Sequence, residues 1–173
     1  WRPLLHRNIR SANKFQPDLA VELENEIDFL ENNWPTGLPE GVIHADLFPD
    51  NVFFHCGKLS GLIDFYFACT DMLAYDIAVC LNAWCFDQNG EFNLTMSRRF
   101  LTAYKELRSF SPAEVAAMPI LARGASVRFL LTRLYDWLNT PQEALVNKKD
   151  PLEYRKKLRF YQSVNGPADY GFD

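Results

Sequence analysis

The apolar residues of "LAVELENEIDFL" recur at Leu19, Leu23, Ile27 and Leu30, with acidic residues between them. This spacing predicts an amphipathic helix over 17–34, closed by Pro35 and Gly37. The period then changes. "GVIHADLFPDN" (41–51) begins as a short strand and becomes a charged loop. "VFFH" (52–55), a turn at Cys56, Gly57 and Lys58, and "LSGLIDF" (59–65) predict a β-hairpin with Asp64 at its exit. From Asp71 the pattern is helical again, with Ile77, Ala78, Leu81 and Cys85 on one stripe. A polar turn, "DQNGEF" (87–92), separates that helix from another around "SRRFLTAYKELRSF" (97–110). "SPAE" (111–114) is a capping box with Pro112 at the first helical position. It opens a long helix to about Asn139, with Pro119 as the place for a bend. "DPLE" (150–153) repeats the capping pattern for a last helix to about Val164. The expected molecule is a mostly helical body with one small hairpin at its front.

Composition narrows the class. With 173 residues the chain suits one domain or one large lobe. A chain of this length buries roughly 70% of the surface its unfolded form exposes, so a core needs no disulfide or metal. A 48% apolar and 14% aromatic content excludes intrinsic disorder. The net charge of −4 gives no electrostatic footprint for nucleic acid. No uninterrupted apolar run approaches the ~20 residues of a membrane span, and "WRPLLHRNIR" has no signal-peptide core. Neither a nucleic-acid nor a membrane partner is expected. None of Cys56, Cys69, Cys80 and Cys85 forms a C-x-x-C pair, which argues against a zinc knuckle or redox motif. Cys80 and Cys85 read as small core residues. Free thiols and the lack of an export signal predict a cytoplasmic location.

The charged loop carries the candidate chemistry. His44, Asp46 and Asn51 form H-x-D-x-x-x-x-N, and Asp64 follows Asn51 by 13 residues. That is the order of parts used in kinase-type phosphoryl transfer. An Asp beside an acceptor hydroxyl orients it and takes its proton. An Asn and a second Asp supply the hard oxygen ligands that Mg²⁺ prefers. The hairpin explains the spacing, because it folds the chain back and returns Asp64 towards Asn51. Leu47 and Pro49 help fix the irregular loop. A His/Asp metallohydrolase would need further ligands, and His6 and His55 lie in no ligand-spaced group.

With these motifs the chain resembles the aminoglycoside phosphotransferase-like kinases, a family that includes choline kinases. Their pattern is an H-x-D-x-x-x-x-N loop, then "IDF" or "IDW", then a segment ending near "YDIA" or "YDLA". The chain has "HADLFPDN", "LIDF" and "DMLAYDIA". "LSGLIDFYFACTDMLAYDIAVCLNAWCF" and "RFLLTRLYDWLNTP" with "KKDPLEY" look like the homoserine kinase branch of that family. The likeness runs from about residue 35 to 161. It implies an α+β, protein-kinase-like C-terminal lobe and roles for single residues. Asp46 would be the catalytic base, and Asn51 and Asp64 the Mg²⁺ ligands. His44 would brace the loop, Asp76 would hydrogen-bond it from behind, and Asp50 would cap or turn it. The implied cofactors are ATP and Mg²⁺. The implied reaction is phosphorylation of the L-homoserine hydroxyl, giving O-phosphohomoserine for threonine synthesis.

The family's nucleotide clamp has no counterpart here. The eight glycines form no Gly-rich phosphate loop, and no V-A-I-K strand precedes the catalytic loop. Residues 1–34 are too short and too helical for a five-stranded lobe. The chain is therefore expected to be the C-terminal lobe of a longer protein, inactive alone and partnered by an N-terminal lobe of the same protein. Homoserine carries a carboxylate and an ammonium, so its pocket should offer a cation and an acid. Arg128, Arg133 and Asp136 lie on one predicted helix, and Arg133 and Asp136 equally suit an ordinary surface ion pair. Choline would instead want an aromatic cage, for which Tyr66, Phe67, Trp84, Tyr135 and Trp137 are available, although they read as core. An aminoglycoside wants an acidic cleft, and acids cluster only in residues 22–31, which read as a solvated helix face. A choline, amino-alcohol or aminoglycoside kinase, and a non-catalytic lobe kept for binding, remain as alternatives.

Overall fold

The computed structural model describes residues 2–141 and 148–172. Among the described residues six α-helices carry the body: α1 Arg2–Phe15, α2 Leu19–Asn33, α3 Leu73–Trp84, α4 Leu94–Leu107, α5 Pro112–Asn139 and α6 Leu152–Ser163. Four short strands form two separate antiparallel pairs. β2 (Val52–His55) and β3 (Lys58–Leu62) make the expected hairpin, turning at Cys56 and Gly57, both at positive φ. That two-residue turn with both φ values positive is the type whose twist matches the strands it joins. The second pair was not foreseen. β1 (Glu40–Ile43) pairs with β4 (Cys69–Met72), Gly41 opposite Asp71 and Ile43 opposite Cys69. "CTDM" alternates no apolar residues, so only its partner makes it a strand, and α3 starts at Leu73 rather than Asp71.

The stripe Leu19, Leu23, Ile27 and Leu30 is wholly buried, as are Ala78, Leu81 and Cys85. Burial in apolar surroundings pushes the Cys80 thiol up, and that of Cys85 up to about 12, so both are inert core residues. The centre of the body is α5, which packs most extensively on α3 and α6. By length and composition alone α5 would cross a membrane, but most of its apolar stretch is buried inside the fold. Its start has the complete capping box. Ser111 Oγ accepts from the Glu114 N–H at 3.2 Å, and Glu114 Oε2 accepts from the Ser111 N–H at 2.8 Å. The helix then runs on through Pro119 to Asn139.

Two local expectations need correction. At α6, Asp150 Oδ1 accepts from the Leu152 N–H, but Glu153 does not turn back to close a capping box. It is drawn instead to Arg133 at 2.5 Å and Lys157 at 2.7 Å. The acids of α2 are not all a solvated face either. Glu26 is 3% exposed and receives both arms of the Arg123 guanidinium at 2.7 Å, while Glu22 pairs with Arg155 at 2.5 Å. These pairs bolt α2 to α5 and α6. A second polar tie crosses the core. Asn82 Nδ2 donates to the Ala122 carbonyl, Ser126 Oγ donates to Asn82 Oδ1, and Lys157 Nζ donates to the Asn82 carbonyl. The buried side chains of this tie are satisfied, as burial requires.

Candidate active site

The end of β1 delivers the loop that holds His44 and Asp46. Asp76, in the first turn of α3, grips it from below. Its Oδ2 accepts from the His44 N–H at 3.1 Å and its Oδ1 from the Ala45 N–H at 2.8 Å. The Asp46 N–H donates to His44 Nδ1 at 3.3 Å. Nδ1 is therefore the acceptor nitrogen, and Nε2 carries the proton and donates to the Ile63 carbonyl at 2.9 Å. The Ile63 N–H in turn donates to the Asn51 carbonyl at 3.1 Å. One backbone unit beside Asp64 thus joins both halves of the motif. Sequence reasoning missed Ile63 because its part is played by main-chain atoms.

Asn51 ends a short 3₁₀ turn, Pro49–Asn51, that Pro49 opens. Its Nδ2 donates to the Asp46 carbonyl at 2.8 Å and lies 3.4 Å from Asp46 Oδ2. The Leu47 carbonyl is held by Trp84 Nε1 at 2.8 Å. Asp46, Asp50, Asn51 and Asp64 line one cleft of about 650 Å³. Burial raises the Asp46 carboxyl above its ordinary value. Arg128 opposes that rise, and Asp64 and Asp50 add to it.

From α5 the same cleft receives Arg128, Arg133 and Asp136, so all three substrate candidates meet the catalytic loop in one space. Arg133 pairs with Glu153 rather than Asp136, and its guanidinium lies over the Tyr154 ring. The surface ion pair expected as the ordinary role of Arg133 and Asp136 is not what forms. Arg128 donates to the Ala45 carbonyl and sits against the rings of Phe67 and Phe129. Lys148 and Lys149 also line the cleft, which sequence reading did not anticipate. Lys148 caps the end of α5 through the Trp137 and Thr140 carbonyls, and Lys149 meets Asp50 at 3.3 Å. The signal was a basic pair beside Asp150, but no periodicity linked it to the loop.

Trp84 packs against the core as expected, but the other four aromatic candidates do not. Tyr66 is 88% exposed, and Phe67, Tyr135 and Trp137 are exposed as well. Of the five candidates only Phe67 lines the cleft. Among the described residues no three His, Cys, Asp or Glu side chains converge on a metal cage. Asn51 and Asp64 nonetheless fit Mg²⁺, which takes one or two protein oxygens and completes its shell with phosphate and water. Asn51 supports this fit, because its amide nitrogen is committed to Asp46, which leaves Oδ1 as the atom that could face a cation.

A helical lobe that presents an Asp–Asn–Asp set from a clamped loop is the arrangement of a phosphotransferase. The chain belongs to the phosphotransferase enzyme family (APH), which it matches over residues 1–110. It is similar to the homoserine kinase of Rhodospirillum rubrum, 61% identical over 171 residues, covering 99% of this chain and 53% of the relative. The homoserine kinase of Bradyrhizobium diazoefficiens is 62% identical over 172 residues, with the same coverage. That of Paramagnetospirillum magneticum is 56% identical over 179 residues and 55% covered. The chain spans about half the length of the curated relatives it matches.

Proposed function

We propose that this chain is the acceptor-binding and metal-binding lobe of an ATP-dependent kinase that phosphorylates the hydroxyl of L-homoserine. The observation that carries the reading is the meeting of Asp46, Asn51 and Asp64 with Arg133 and Asp136 on a single cleft. Mg²⁺-ATP, when bound, supplies the phosphoryl group and the cation that neutralises its charge. Asp46 holds the acceptor hydroxyl and takes its proton. Asn51 Oδ1 and the Asp64 carboxylate hold Mg²⁺. The exposed Asp136 carboxylate suits the acceptor's ammonium, and Arg133 and Lys149 suit its carboxylate. Most of the rate would come from positioning and electrostatics, because phosphoryl transfer leaves the protein little covalent work.

The nucleotide clamp belongs, in this reading, to a preceding N-terminal lobe of the same protein. Support comes from the apolar front of the hairpin: Phe53, Phe54, Leu59, Ile63 and Phe65 are all exposed. So many exposed apolar side chains gathered on one hairpin mark an interface rather than scattered surface residues. The high identity to homoserine kinases favours homoserine over choline.

The test is Mg²⁺-ATP-dependent ADP release with L-homoserine, choline and kanamycin, on this chain and on the longest product of its gene. Release with homoserine by the longer protein alone is the expected result. Asp46→Asn in that protein should lower turnover by at least about 10²-fold with an unchanged circular dichroism spectrum. Normal turnover by Asp46→Asn would remove Asp46 from the chemistry. Release with choline alone would reassign the acceptor. Nucleotide binding without any turnover would leave a binding lobe.

A further inference from the structure

We infer that Arg128 is a positioning residue that fixes Asp46 through the Ala45 carbonyl, and that it does not bind the acceptor's carboxylate. The inference rests on the reading above in taking Asp46 as the group that meets the acceptor.

Ala45 stands at φ +60, in the left-handed region. A residue with a Cβ enters that region only at a cost in free energy, so the surrounding contacts must hold it there. Asp76 holds one side by accepting the N–H groups of His44 and Ala45. Nothing on Asp76 controls the peptide that follows, whose carbonyl belongs to Ala45 and whose nitrogen belongs to Asp46. Arg128 does so. It reaches that carbonyl from α5, a separation of 83 residues along the chain. With His44 accepting from the Asp46 N–H, the peptide plane that aims the Asp46 side chain is gripped at both ends.

The guanidinium is itself fixed. It lies 5.0 Å from the Phe67 ring centre and 4.6 Å from that of Phe129, in the stacked setting that suits a planar guanidinium. Phe67 follows Asp64 by three residues, so the contact links the Asp64 segment to α5 as well. Arg133, by contrast, hydrogen-bonds Glu153 and the Asp150 carbonyl and touches no part of the catalytic loop among its hydrogen bonds. The two arginines that share the cleft therefore have different work. Arg128 serves the loop, whereas Arg133 is held by Glu153 of α6.

The two roles separate experimentally. In the full-length protein Arg128→Ala should lower kcat by about 10²-fold, the order expected when a reacting group is misplaced by about 1 Å, with little change in KM for homoserine. Arg128→Lys keeps one donor for the Ala45 carbonyl but loses the planar face that lies on Phe67 and Phe129, so it should recover part of the lost kcat at unchanged KM. Hydrogen exchange read by mass spectrometry gives a measure that does not depend on turnover. Peptides covering 44–51 should exchange faster in Arg128→Ala, while those of α2 and α6 stay protected. A raised KM with kcat kept, in either variant, would make Arg128 an acceptor ligand and overturn the inference. Unchanged exchange over 44–51 in Arg128→Ala would overturn it too. Absence of turnover in the parent protein with every acceptor would instead count against the homoserine reading, and the exchange result would still decide what Arg128 holds.

Discussion

Glu114 shows how much one side chain can concentrate. It is almost wholly buried, closes the capping box of α5 and receives Arg108 at 2.5 Å. Burial pushes its carboxyl up, but the Ser111 N–H, the Arg108 guanidinium and the Ser111 hydroxyl pull it down by more, and the net value lies below the ordinary one. A carboxyl lowered in the folded state stabilises the fold fully above its unfolded pKa of about 4.3. That stabilisation is lost as the pH falls through the lower folded value. The midpoint of thermal unfolding should therefore drop as the pH falls below about 4.3, and Glu114→Gln should show a smaller drop. Equal drops in the two proteins would show that Glu114 titrates alike folded and unfolded. The Ser111-to-Glu114 box was legible in the sequence, because its partners are three residues apart and need no tertiary information. Asp46, Asn51 and Asp64 were legible for a related reason: a short hairpin sets their approach. Ile63 and Ala45 were not. They act through backbone atoms, and any side chain in those places would give the same letters no meaning.

At the scale of elements the helices follow their apolar periods, and the errors fall where charge or pairing overrides period. Glu22 and Glu26 look solvated because i, i+4 acids usually face water. Here α2 lies against Arg123, Arg155 and Arg159, which come from two helices about 100 and 130 residues later in the chain. Glu26→Ala would leave the Arg123 guanidinium, itself mostly buried, without its counter-charge. Breaking such a pair typically costs about 3–5 kcal/mol. A fall of that order in urea-unfolding free energy is expected, and a loss under about 1 kcal/mol, the range of surface pairs, would mean that solvent replaces the carboxylate. Strand β4 was missed for a complementary reason. Its residues have no strand pattern, and its identity comes from β1, which offers free backbone groups at the right distance.

The whole molecule has two unlike faces. The body around α5 is closed by core packing and buried ion pairs, while the front hairpin and the turn after it leave aromatic and aliphatic side chains in water. If an N-terminal lobe covers that front, the chain alone should bind a hydrophobic dye and self-associate as its concentration rises. The longest gene product should do neither, and Phe54→Ser with Phe65→Ser should abolish both effects in the isolated chain. Dye binding by the longer protein equal to that of the chain would show that the face stays open and serves something else.

The sequence by itself determined what depends on near neighbours: the helical periods, the cap of α5, the hairpin, and the order and spacing of the H-x-D-x-x-x-x-N loop with its later Asp. Those features rest on torsional preferences and contacts within a few residues, which the letters carry directly. Only the tertiary structure decided which charges are buried, which strand pairs with β1, and which arginine grips the catalytic loop. The β1–β4 pairing, the Glu22 and Glu26 ion pairs and the Arg128 contact join residues from 26 to 137 positions apart, and nothing local distinguishes Arg128 from Arg133. Their difference arises when α5 crosses the loop and brings one guanidinium to a carbonyl and the other to a carboxylate.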